Sequence, residues 1–484
     1  MPAPVRVRFA PSPTGFLHVG GLRTALYNYL FAKNRNGQFV LRIEDTDQSR
    51  KVEGAVENLI STLDWAGIRF DEGPGRGGDC GPYVQSERLS TYREHAEKLI
   101  DQGNAYYCFC TPQRLEEVRK RQVAMKLAPS YDRHCRDLPA SEAKKKKEAG
   151  ESCVIRMKVP VGGETAFDDI IRGKVTIANK VLDDQVIIKS DGFPTYHMAV
   201  VIDDHLMKIS HVIRGEEWLS STPKHVMLYG YFGWDLPQFA HLPLLLNPDK
   251  SKLSKRQGDV AVEEYRAKGY LREALVNFVA FLGWNPGDER EIFSLEELVK
   301  EFSLERVGKA GAVFNVEKLN WMNFQHLRQK PDAEVLAMLK EYLLSRSTID
   351  QNNFTDTYLL EVIAAMRERV TFIREFVEKS PYFFAAPSSY DPAVAKKRWK
   401  PETPGYLKQY LDALGKVEHP QKEDYESALK QVVESVNVSA GTLIHPIRLA
   451  VSGMGMGPGL YEILGILGKE EVVRRLNKAI ESLS

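Results

Sequence analysis

The stretch Arg8-Phe-Ala-Pro-Ser-Pro-Thr-Gly-Phe-Leu-His-Val-Gly-Gly21 decides the fold of this chain. It continues the alternating residues 5–9, which predict a strand, and leads into residues 19–33, whose apolar spacing predicts a helix. The prolines and the glycine between them predict a loop. A loop that follows a strand and opens a helix presents backbone N–H groups and the positive helix end to phosphate.

A second motif, Lys252-Leu-Ser-Lys-Arg256, is a compact basic loop far downstream. Its lysines can neutralise negative charge that develops on phosphate groups. In the first motif, His18 can donate hydrogen bonds to phosphate oxygens, while Gly20 and Gly21 allow the backbone to approach closely. A lone histidine–glycine tetrapeptide is weak evidence. Its place after a strand, together with the basic loop, predicts a nucleotide gripped from two sides.

The residues that follow the first motif extend the pattern to a βαβ unit. Residues 38–43 predict a second strand, and residues 52–65 predict a second helix. Such alternation implies a parallel sheet with helices on its faces. A right-handed crossover then places the loops at residues 10–15 and 44–47 at the carboxyl edge of the sheet, where ligands usually bind.

The composition is that of an ordinary globular protein. Of the 484 residues, 43% are hydrophobic and 27% are charged, and this length predicts about three domains. No apolar run reaches the ~18 residues that a membrane helix needs. The chain enters its first strand almost at once, which leaves no room for a targeting segment, so we expect a cytoplasmic protein. Because the net charge is only +1, any contact with nucleic acid must depend on local patches.

The pattern of elements predicts an α/β catalytic part interrupted by an insertion and followed by helices. The predicted divisions are a Rossmann-like domain in two halves (1–100 and 191–262), an inserted α+β module (101–190), a helical region (263–330) and an all-helical C-terminal domain (331–484).

Finer features of the pattern also give expectations. Apolar runs at residues 186–189, 199–202 and 211–213 predict that the main sheet resumes after the insertion. For Asp203 and Asp204, which follow the second run, the plain alternative to a role in a pocket is a solvated strand end. The segment Ser294-Leu-Glu-Glu297 predicts a capping box, and residues 358–377 predict one long amphipathic helix.

Four segments carry a resemblance to a known family: residues 8–32, Leu41–Asp47, Tyr196–His225 and Lys252–Arg256. They resemble the class I aminoacyl-tRNA synthetases, and among these the bacterial glutamyl-tRNA synthetase family. The resemblance covers at least residues 5–325, and the helical C-terminal third fits the bacterial form. The class I signature normally ends in histidine where this chain has Gly21, a glycine that glutamyl members often share.

The resemblance implies a fold and a two-step reaction. The fold would be α/β, with a Rossmann-like parallel-sheet catalytic domain, an inserted α+β module that binds the tRNA acceptor end, a helical stem-contact region and all-α C-terminal domains that bind the anticodon. The reaction would be ATP-dependent attachment of L-glutamate to tRNA(Glu) through a glutamyl-adenylate, with release of AMP and pyrophosphate. Mg²⁺ would accompany the ATP, no membrane would be involved, and the protein would be a monomer.

The resemblance also assigns candidate site residues. Catalytic roles fall to His18, Lys252, Lys255 and Arg256. Glutamate binding falls to Arg8, Ala10, Ser12, Glu44, Tyr196 and Arg214, and ATP binding falls to His18, Gly20, Gly21, Glu217, Trp218, Leu245 and Lys255. Neither step needs a protein nucleophile, since the protein aligns the reactants and stabilises charge. Glutamate carries two carboxylates and one ammonium, which about two cations and one anion would complement; which arginine takes the side-chain carboxylate stays open.

The five cysteines are too few, and odd in number, for a disulfide scaffold. Cys108, Cys110 and Cys135 lie in the inserted module at a spacing that could hold structural zinc, with Tyr131 as a fourth ligand. Some relatives have C-x-C followed by C-x-H, but the residue two beyond Cys135 is Asp137. His134 is another candidate for the fourth place, and reduced cysteines without metal are the alternative to a zinc site.

The C-terminal third has no excess of positive charge with which to attract RNA. Residues 331–484 contain 19 Lys and Arg against 21 Asp and Glu, a net charge of −2. Anticodon recognition, which the resemblance implies, would then use splayed bases and local contacts. The basic segment Lys396–Lys400 includes an aromatic ring, which fits an RNA-backbone and stacking site, and a solvated loop is the alternative.

Alternative functions make different demands on the sequence. A non-discriminating enzyme would also charge tRNA(Gln), and this depends on anticodon contacts that the sequence does not specify. A shortened paralogue that glutamylates a tRNA base would lack the helical C-terminal third. A glutaminyl enzyme would have a β-rich C-terminal region, and Arg214 suits an anionic side chain. A non-catalytic RNA-binding relative would predict loss of His18 or Lys255, and both are present.

Overall fold

A computed structural model describes residues 4–253, 261–346 and 353–483. The chain separates into two compact units. The N-terminal unit contains residues 1–268 and 272–318, and the C-terminal unit contains residues 269–271 and 319–484.

The described strands all lie in the N-terminal unit. They are β1 Arg6–Phe9, β2 Gln38–Leu41, β3 Ala105–Cys108, β4 Val154–Met157, β5 Glu164–Asp169, β6 Gly173–Ala178, β7 Val186–Ile188, β8 His211–Gly215, β9 Gln238–Leu242, β10 Leu245–Leu246 and β11 Ala312–Val313.

Helices occur in both units. The first ten are α1 Val19–Asn34, α2 Ala55–Trp65, α3 Leu89–Asp101, α4 Pro112–Ala124, α5 Ala140–Glu148, α6 Tyr196–Leu206, α7 Thr222–Phe232, α8 Val262–Ala267, α9 Arg272–Ala280 and α10 Leu295–Glu301. The others are α11 Val316–Gln329, α12 Asp332–Leu344, α13 Asp356–Met366, α14 Glu375–Glu378, α15 Pro392–Arg398, α16 Thr403–Gly415, α17 Lys422–Ser435, α18 Gly441–Ser452, α19 Leu460–Leu467 and α20 Lys469–Leu483. Within the described ranges, none of these helices has the length and apolar character that spanning a membrane requires.

The central sheet is mostly parallel. β1 pairs in parallel with β2, and β8 pairs in parallel with β9. The backbone N–H of Ser210 donates to the carbonyl of Arg6 at 2.9 Å, which sets β8 beside β1. On its other side β9 meets β5 in parallel, and β6 completes the edge in antiparallel pairing with β5. The predicted α/β class is therefore confirmed, with β2-β1 as one ladder and β8-β9-β5-β6 as the other, adjoining where Ser210 meets Arg6.

The first βαβ unit forms as its sequence predicts. All four residues of β1 are buried, as expected for a parallel strand covered on both faces. α1 begins after His18, whose Nδ1 accepts a hydrogen bond from the Gly21 N–H at 3.0 Å and so caps the helix. Leu22 and Leu26 lie on its buried face. The loop between β1 and α1 is thereby held at the carboxyl edge of the sheet.

Strands β3, β4 and β7 of the predicted inserted module (101–190) form their own antiparallel sheet, in the order β3-β4-β7, whereas β5 and β6 from the same residue range pair with the main sheet through β9. The prediction that residues 186–189 return to the main sheet is wrong, because β7 pairs with β4. The prediction of a strand at residues 199–202 is also wrong, since these residues lie within α6. All four are buried, and an uninterrupted apolar run carries no periodicity that separates a strand from a buried helix. The strand at residues 211–213 does form, as β8.

Asp203 and Asp204 do not form a solvated strand end. They lie near the end of α6 with 0% and 3% of their surface exposed. Asp203 accepts hydrogen bonds from Arg88 Nε at 2.7 Å, from the Tyr92 hydroxyl at 2.7 Å and from Gln85 Nε2 at 2.9 Å. The two carboxylates are buried because each is matched by arginines and other donors.

The C-terminal unit contains only helices and turns among its described residues. The single helix predicted over residues 358–377 is wrong. α13 ends at Met366 and a 3₁₀ turn follows at Arg367–Arg369. The Glu375 carboxylate then accepts the Thr371 N–H at 2.6 Å, a local bond that competes with helix continuation. The basic residues Lys396–Arg398 form the last turn of α15 rather than a loop. The predicted capping box at Ser294 is confirmed at the start of α10.

Removal of the Asp203 charge tests how far the buried network supports the N-terminal unit. Asp203→Asn keeps the shape but leaves buried arginine charge unmatched, so we expect a loss of about 3 kcal/mol in the free energy of unfolding, measured with urea. Asp235→Asn, at an exposed position after α7, should change the free energy of unfolding by less than about 0.5 kcal/mol. Equal effects of the two substitutions would contradict a structural role for the buried charge.

Candidate active site

A cavity of about 860 Å³ opens at the carboxyl edge of β1, β2 and β8. Its walls are formed by the loop after β1, the start of α1, the residues after β2, the start of α6 and the end of β8. Every described residue that was predicted to be catalytic or to bind glutamate or ATP lines it: Arg8, Ala10, Ser12, His18, Gly20, Gly21, Glu44, Tyr196, Arg214, Glu217, Trp218, Leu245 and Lys252. The predicted residues Lys255 and Arg256 lie outside the described part of the chain.

His18 and two glycines form one end of the cavity. Since His18 Nδ1 accepts the Gly21 N–H, the neutral ring carries its proton on Nε2 and can donate it to a ligand. A Cβ atom at position 20 would lie 3.0 Å from His18 Nδ1, so glycine leaves room for this ring position. An anion at the start of α1 would meet backbone N–H groups and the positive helix end.

The residues that flank the basic loop are tied to the same end of the cavity. Lys252 forms an antiparallel bridge with Leu246, and Ala261 forms one with His18. The Val262 N–H also donates to the carbonyl of Leu17 at 3.0 Å. The structure therefore brings the first described residue of the KLSKR motif to the loop that carries His18, although the two are far apart in sequence.

Buried ion pairs occupy the floor of the cavity. Arg8 binds Asp204 through two hydrogen bonds of 3.0 and 3.3 Å. Arg42 bridges Asp204 at 2.7 Å and Glu44 at 2.9 Å. Burial favours the neutral form of Asp204, but Arg8 and Arg42 hold its pKa below the usual range. Burial raises the pKa of Glu44 despite the opposing effect of Arg42, so a positively charged ligand group nearby would favour its ionised form.

Arg214 has a different set of partners. Its Nη1 donates to the Tyr196 hydroxyl at 2.9 Å, its Nη2 donates to Thr222 Oγ1 at 2.9 Å and His225 Nδ1 at 3.2 Å, and its Nε donates to His241 Nε2 at 3.2 Å. Arg214 has only 5% of its surface exposed. Among the described residues, no carboxylate forms an ion pair with this guanidinium.

The histidines beside Arg214 are neutral. Burial is the main cause that lowers the pKa of His225, and the charge of Arg214 lowers it further. Burial and Arg214 also lower the pKa of His241, although the Asp169 carboxylate acts in the opposite direction. Neutral imidazoles accept hydrogen bonds from Arg214 without cancelling its charge. The cavity thus contains a buried cation that pairs with no carboxylate in the part of the chain that the structure describes.

Aromatic rings and an acidic loop form the wall next to Arg214. The rings of Tyr196 and Trp218 lie 4.0 Å apart at 30°. Trp218 belongs to a 3₁₀ turn that spans Glu216–Ser221. Gly215 lacks a Cβ, and the Glu217 carboxylate occupies the place that one would take. A planar group of a ligand could stack on this wall.

The cysteine cluster lies away from the cavity, in the inserted module. The sulfur atoms of Cys108, Cys110 and Cys135 lie within 4.8 Å of one another. The Tyr131 hydroxyl lies 3.3 Å from Cys108 Sγ and 3.5 Å from Cys110 Sγ, and it accepts the Cys135 N–H at 3.0 Å. His134 is exposed, whereas the Tyr131 hydroxyl contacts two of the sulfurs and the backbone of the third cysteine.

Comparison with known proteins agrees with this arrangement. The family described as "tRNA synthetases class I (E and Q), catalytic domain" matches residues 4–321, and the family described as "Anticodon binding domain" matches residues 334–480. The chain belongs to the class I tRNA synthetases of the E and Q type. The predicted family is therefore confirmed.

Individual members of the synthetase family resemble the chain over nearly its whole length. The glutamate–tRNA ligases of Chloroherpeton thalassium and Chlorobium chlorochromatii are each 55% identical to it, with 99% of this chain and 98% of each relative covered. A crystal structure of a glutamate tRNA ligase from Elizabethkingia meningosepticum in complex with its amino acid is 42% identical, with a TM-score of 0.94. It covers 99% of this chain and 100% of its own.

The structure also shows residues around the synthetase site that the sequence did not reveal. They are Arg42, Asp169, Thr222, His225 and His241, all buried. Arg42 stands two residues before Glu44 and so faces the same side of the chain, a spacing that could have indicated their pairing. Thr222 and His225 are three residues apart on one helix. No local spacing relates Asp169 to His241, because they come from β5 and β9.

Proposed function

We propose that this protein is a glutamate–tRNA ligase that attaches L-glutamate to tRNA(Glu) at the expense of ATP. The unbalanced guanidinium of Arg214, in the same cavity as the phosphate-binding start of α1, carries the proposal. The names of the two relatives and of the crystal structure described above support it.

The charge of the cavity complements glutamate rather than glutamine. Arg8 and Arg42 are paired with Asp204 and Glu44, whereas Arg214 has no carboxylate partner among the described residues. The side-chain carboxylate of glutamate would supply the missing counter-charge. Glutamine is neutral and would leave a buried cation without a counter-charge, which costs several kcal/mol.

The two ends of the glutamate would meet different groups. Arg8 and Arg42 are already paired with Asp204, whereas Arg214 is not paired with a carboxylate among the described residues. We therefore assign the side-chain carboxylate to Arg214, which can grip it with parallel N–H donors. Glu44 would receive the ammonium group, because one of its oxygens binds Arg42 and the second is left for a ligand.

In adenylate formation the protein would align the reactants and stabilise charge, and no side chain would form a covalent bond with them. An oxygen of the glutamate α-carboxylate attacks the α-phosphorus, a new O–P bond forms, and the bond to the pyrophosphate leaving group breaks. His18 Nε2–H and the backbone N–H groups at the start of α1 would bind phosphate oxygens as charge develops on them. Lys252 would add positive charge at the same end, and we extend this role to Lys255 and Arg256 from the motif alone.

In the second step the glutamyl group would be transferred from the adenylate to the tRNA. The hydroxyl of the 3′-terminal ribose attacks the activated carbonyl, an ester bond forms, and AMP leaves with the electrons of the broken C–O bond. Mg²⁺ carried by ATP would neutralise phosphate charge when bound. Among the described residues, the cysteine cluster is the one group with metal-ligating spacing, so the Mg²⁺ would be held largely by the nucleotide.

We infer that the tRNA contacts divide along the predicted domains. The inserted module (101–190) would bind the acceptor end, residues 263–330 would contact the stem, and the helical domain (331–484) would bind the anticodon. The match of residues 334–480 to an anticodon-binding family supports the last of these. The same match disfavours a shortened base-modifying paralogue, and the absence of strands among described residues of the C-terminal unit disfavours a glutaminyl enzyme.

A charging assay tests the function directly. With purified protein, ATP, L-glutamate and tRNA(Glu), we expect glutamyl-tRNA to form, detected as acid-precipitable labelled glutamate. A parallel reaction with tRNA(Gln) distinguishes a discriminating enzyme from one that charges both tRNAs. Replacement of glutamate by glutamine is the control, and it should give aminoacyl-tRNA far more slowly, with a much lower kcat/KM. No charging of tRNA(Glu) would refute the proposal.

We further propose that the cysteine cluster holds one structural Zn²⁺. Tetrahedral zinc with Zn–S bonds of about 2.3 Å separates its sulfur ligands by about 3.8 Å, and Cys110 Sγ lies 3.6 Å from Cys135 Sγ. The Tyr131 hydroxyl completes the set. Arg114 Nη1 donates to Cys110 Sγ at 3.4 Å, and its positive charge opposes the burial that raises the pKa of this thiol. A bound Zn²⁺ would fix the two loops of the module together.

Metal analysis checks the zinc proposal. The purified protein should contain about one zinc per chain, and Cys110→Ser should reduce this severalfold because a ligand is lost. Tyr131→Phe should bind zinc more weakly than the wild type, whereas Cys80→Ser, outside the cluster, should leave the metal content unchanged. A wild-type protein that lacks zinc and takes up none on refolding with ZnSO₄ would contradict the proposal.

A further inference from the structure

The acceptors around Arg214 are held in place by groups that do not reach the cavity. His241 Nδ1 lies 2.6 Å from an oxygen of Asp169, and His225 Nε2 lies 2.9 Å from His197 Nδ1. Asp169, His197 and His241 do not line the cavity. Arg214 is therefore backed by two chains of side chains, one that ends in a carboxylate and one that ends in a second imidazole.

The hydrogen bonds determine which nitrogen of each ring carries the proton. Arg214 can only donate, so His241 Nε2 must accept from it and His241 Nδ1 carries a proton that it donates to Asp169. Asp169 is in turn fixed by the backbone N–H groups of Ile171 and Arg172, at 3.0 and 2.8 Å. The Asp169 charge orients the ring while remaining one imidazole away from the guanidinium.

The second chain works in the same way without a carboxylate. His225 Nδ1 accepts from Arg214, so its Nε2–H donates to His197 Nδ1. Burial is the main cause that lowers the pKa of His197 to about 3, so this ring is neutral as well. Lys224 and Arg214 act on it in the same direction. Both chains thus offer lone pairs, and neither offers a negative charge, to Arg214.

We infer that Asp169, His197, His225 and His241 are positioning residues that set the preference for an anionic amino-acid side chain, by fixing the Arg214 guanidinium through neutral acceptors alone. This inference rests on the proposed function and adds to it the source of the discrimination between glutamate and glutamine. A carboxylate in direct contact with Arg214 would orient it equally well, but it would also supply the counter-charge that the substrate should bring.

The isosteric pair His225→Asn and His225→Asp separates orientation from charge. The Oδ1 atom of either residue occupies the place of His225 Nδ1 and can accept from Arg214. Only the aspartate adds a negative charge. Both variants lose the bond to His197 in the same way, so differences between them report charge and not packing.

The measured quantity is kcat/KM for glutamate and for glutamine in aminoacylation of tRNA(Glu). His225→Asn should keep the glutamate-to-glutamine ratio within about fivefold of the wild type, because it preserves a neutral acceptor. His225→Asp should lower this ratio about 100-fold relative to His225→Asn, through a higher KM for glutamate. Equal ratios in the two variants would overturn the inference.

Asp169→Asn tests the other chain independently, including the case in which an aspartate at position 225 prevents folding. The new amide would donate to His241 Nδ1 and shift the ring proton to Nε2. The His241 Nε2–H would then face the Nε–H of Arg214, two donors with no acceptor between them. We expect KM for glutamate to rise about 10- to 100-fold, with a smaller change in kcat and with glutamine KM little affected. Equal losses for both amino acids would indicate a merely structural role and would overturn the inference.

The wild-type control separates this inference from the proposed function. If the wild type fails to charge tRNA(Glu) with glutamate, the proposed function itself is refuted. If the wild type charges normally but His225→Asp and Asp169→Asn keep its selectivity, only the positioning role is refuted.

Discussion

A buried positive charge that no described carboxylate pairs with is the constraint on which the rest of the site depends. Burial of an unpaired guanidinium is costly, and proteins normally match it with a carboxylate. Here the arginines near the cavity floor are matched, Arg8 and Arg42 by Asp204, while Arg214 is surrounded by a phenol, a hydroxyl and two neutral imidazoles. Leaving Arg214 without a carboxylate partner lowers the stability of the free protein. An anionic side chain of the ligand can then supply that partner, which increases the affinity for the ligand.

The fold explains why this charge lies beside a phosphate-binding loop. In a parallel sheet the carboxyl ends of neighbouring strands share one edge, so the residues after β1 and β8 meet although some 200 residues separate them. β1 leads into the capped start of α1, which attracts phosphate, and β8 carries Arg214 next to its last residue, where the guanidinium attracts a carboxylate. The juxtaposition of the two ligands in one cavity follows from strand order alone.

The sequence could predict those parts of the fold and the site that local patterns encode. The βαβ unit, the helix predicted to begin at residue 19 and the lining of the cavity by Arg8 and Arg214 all agree with the structure. The buried run at residues 199–202 was assigned to a strand because full burial removes the periodicity that separates strand from helix. The partners of Arg8 and Arg214 could not be predicted, since Asp204 lies 196 residues from Arg8 and His241 arrives on another strand.

The most direct test of the unbalanced charge is its removal. In Arg214→Gln the amide can still donate to a side-chain oxygen, but the positive charge is gone. The measurement is kcat/KM for glutamate and for glutamine, in aminoacylation of tRNA(Glu). We predict a loss of at least about 100-fold for glutamate and no comparable loss for glutamine. A variant that keeps the wild-type preference for glutamate would contradict the central role of Arg214.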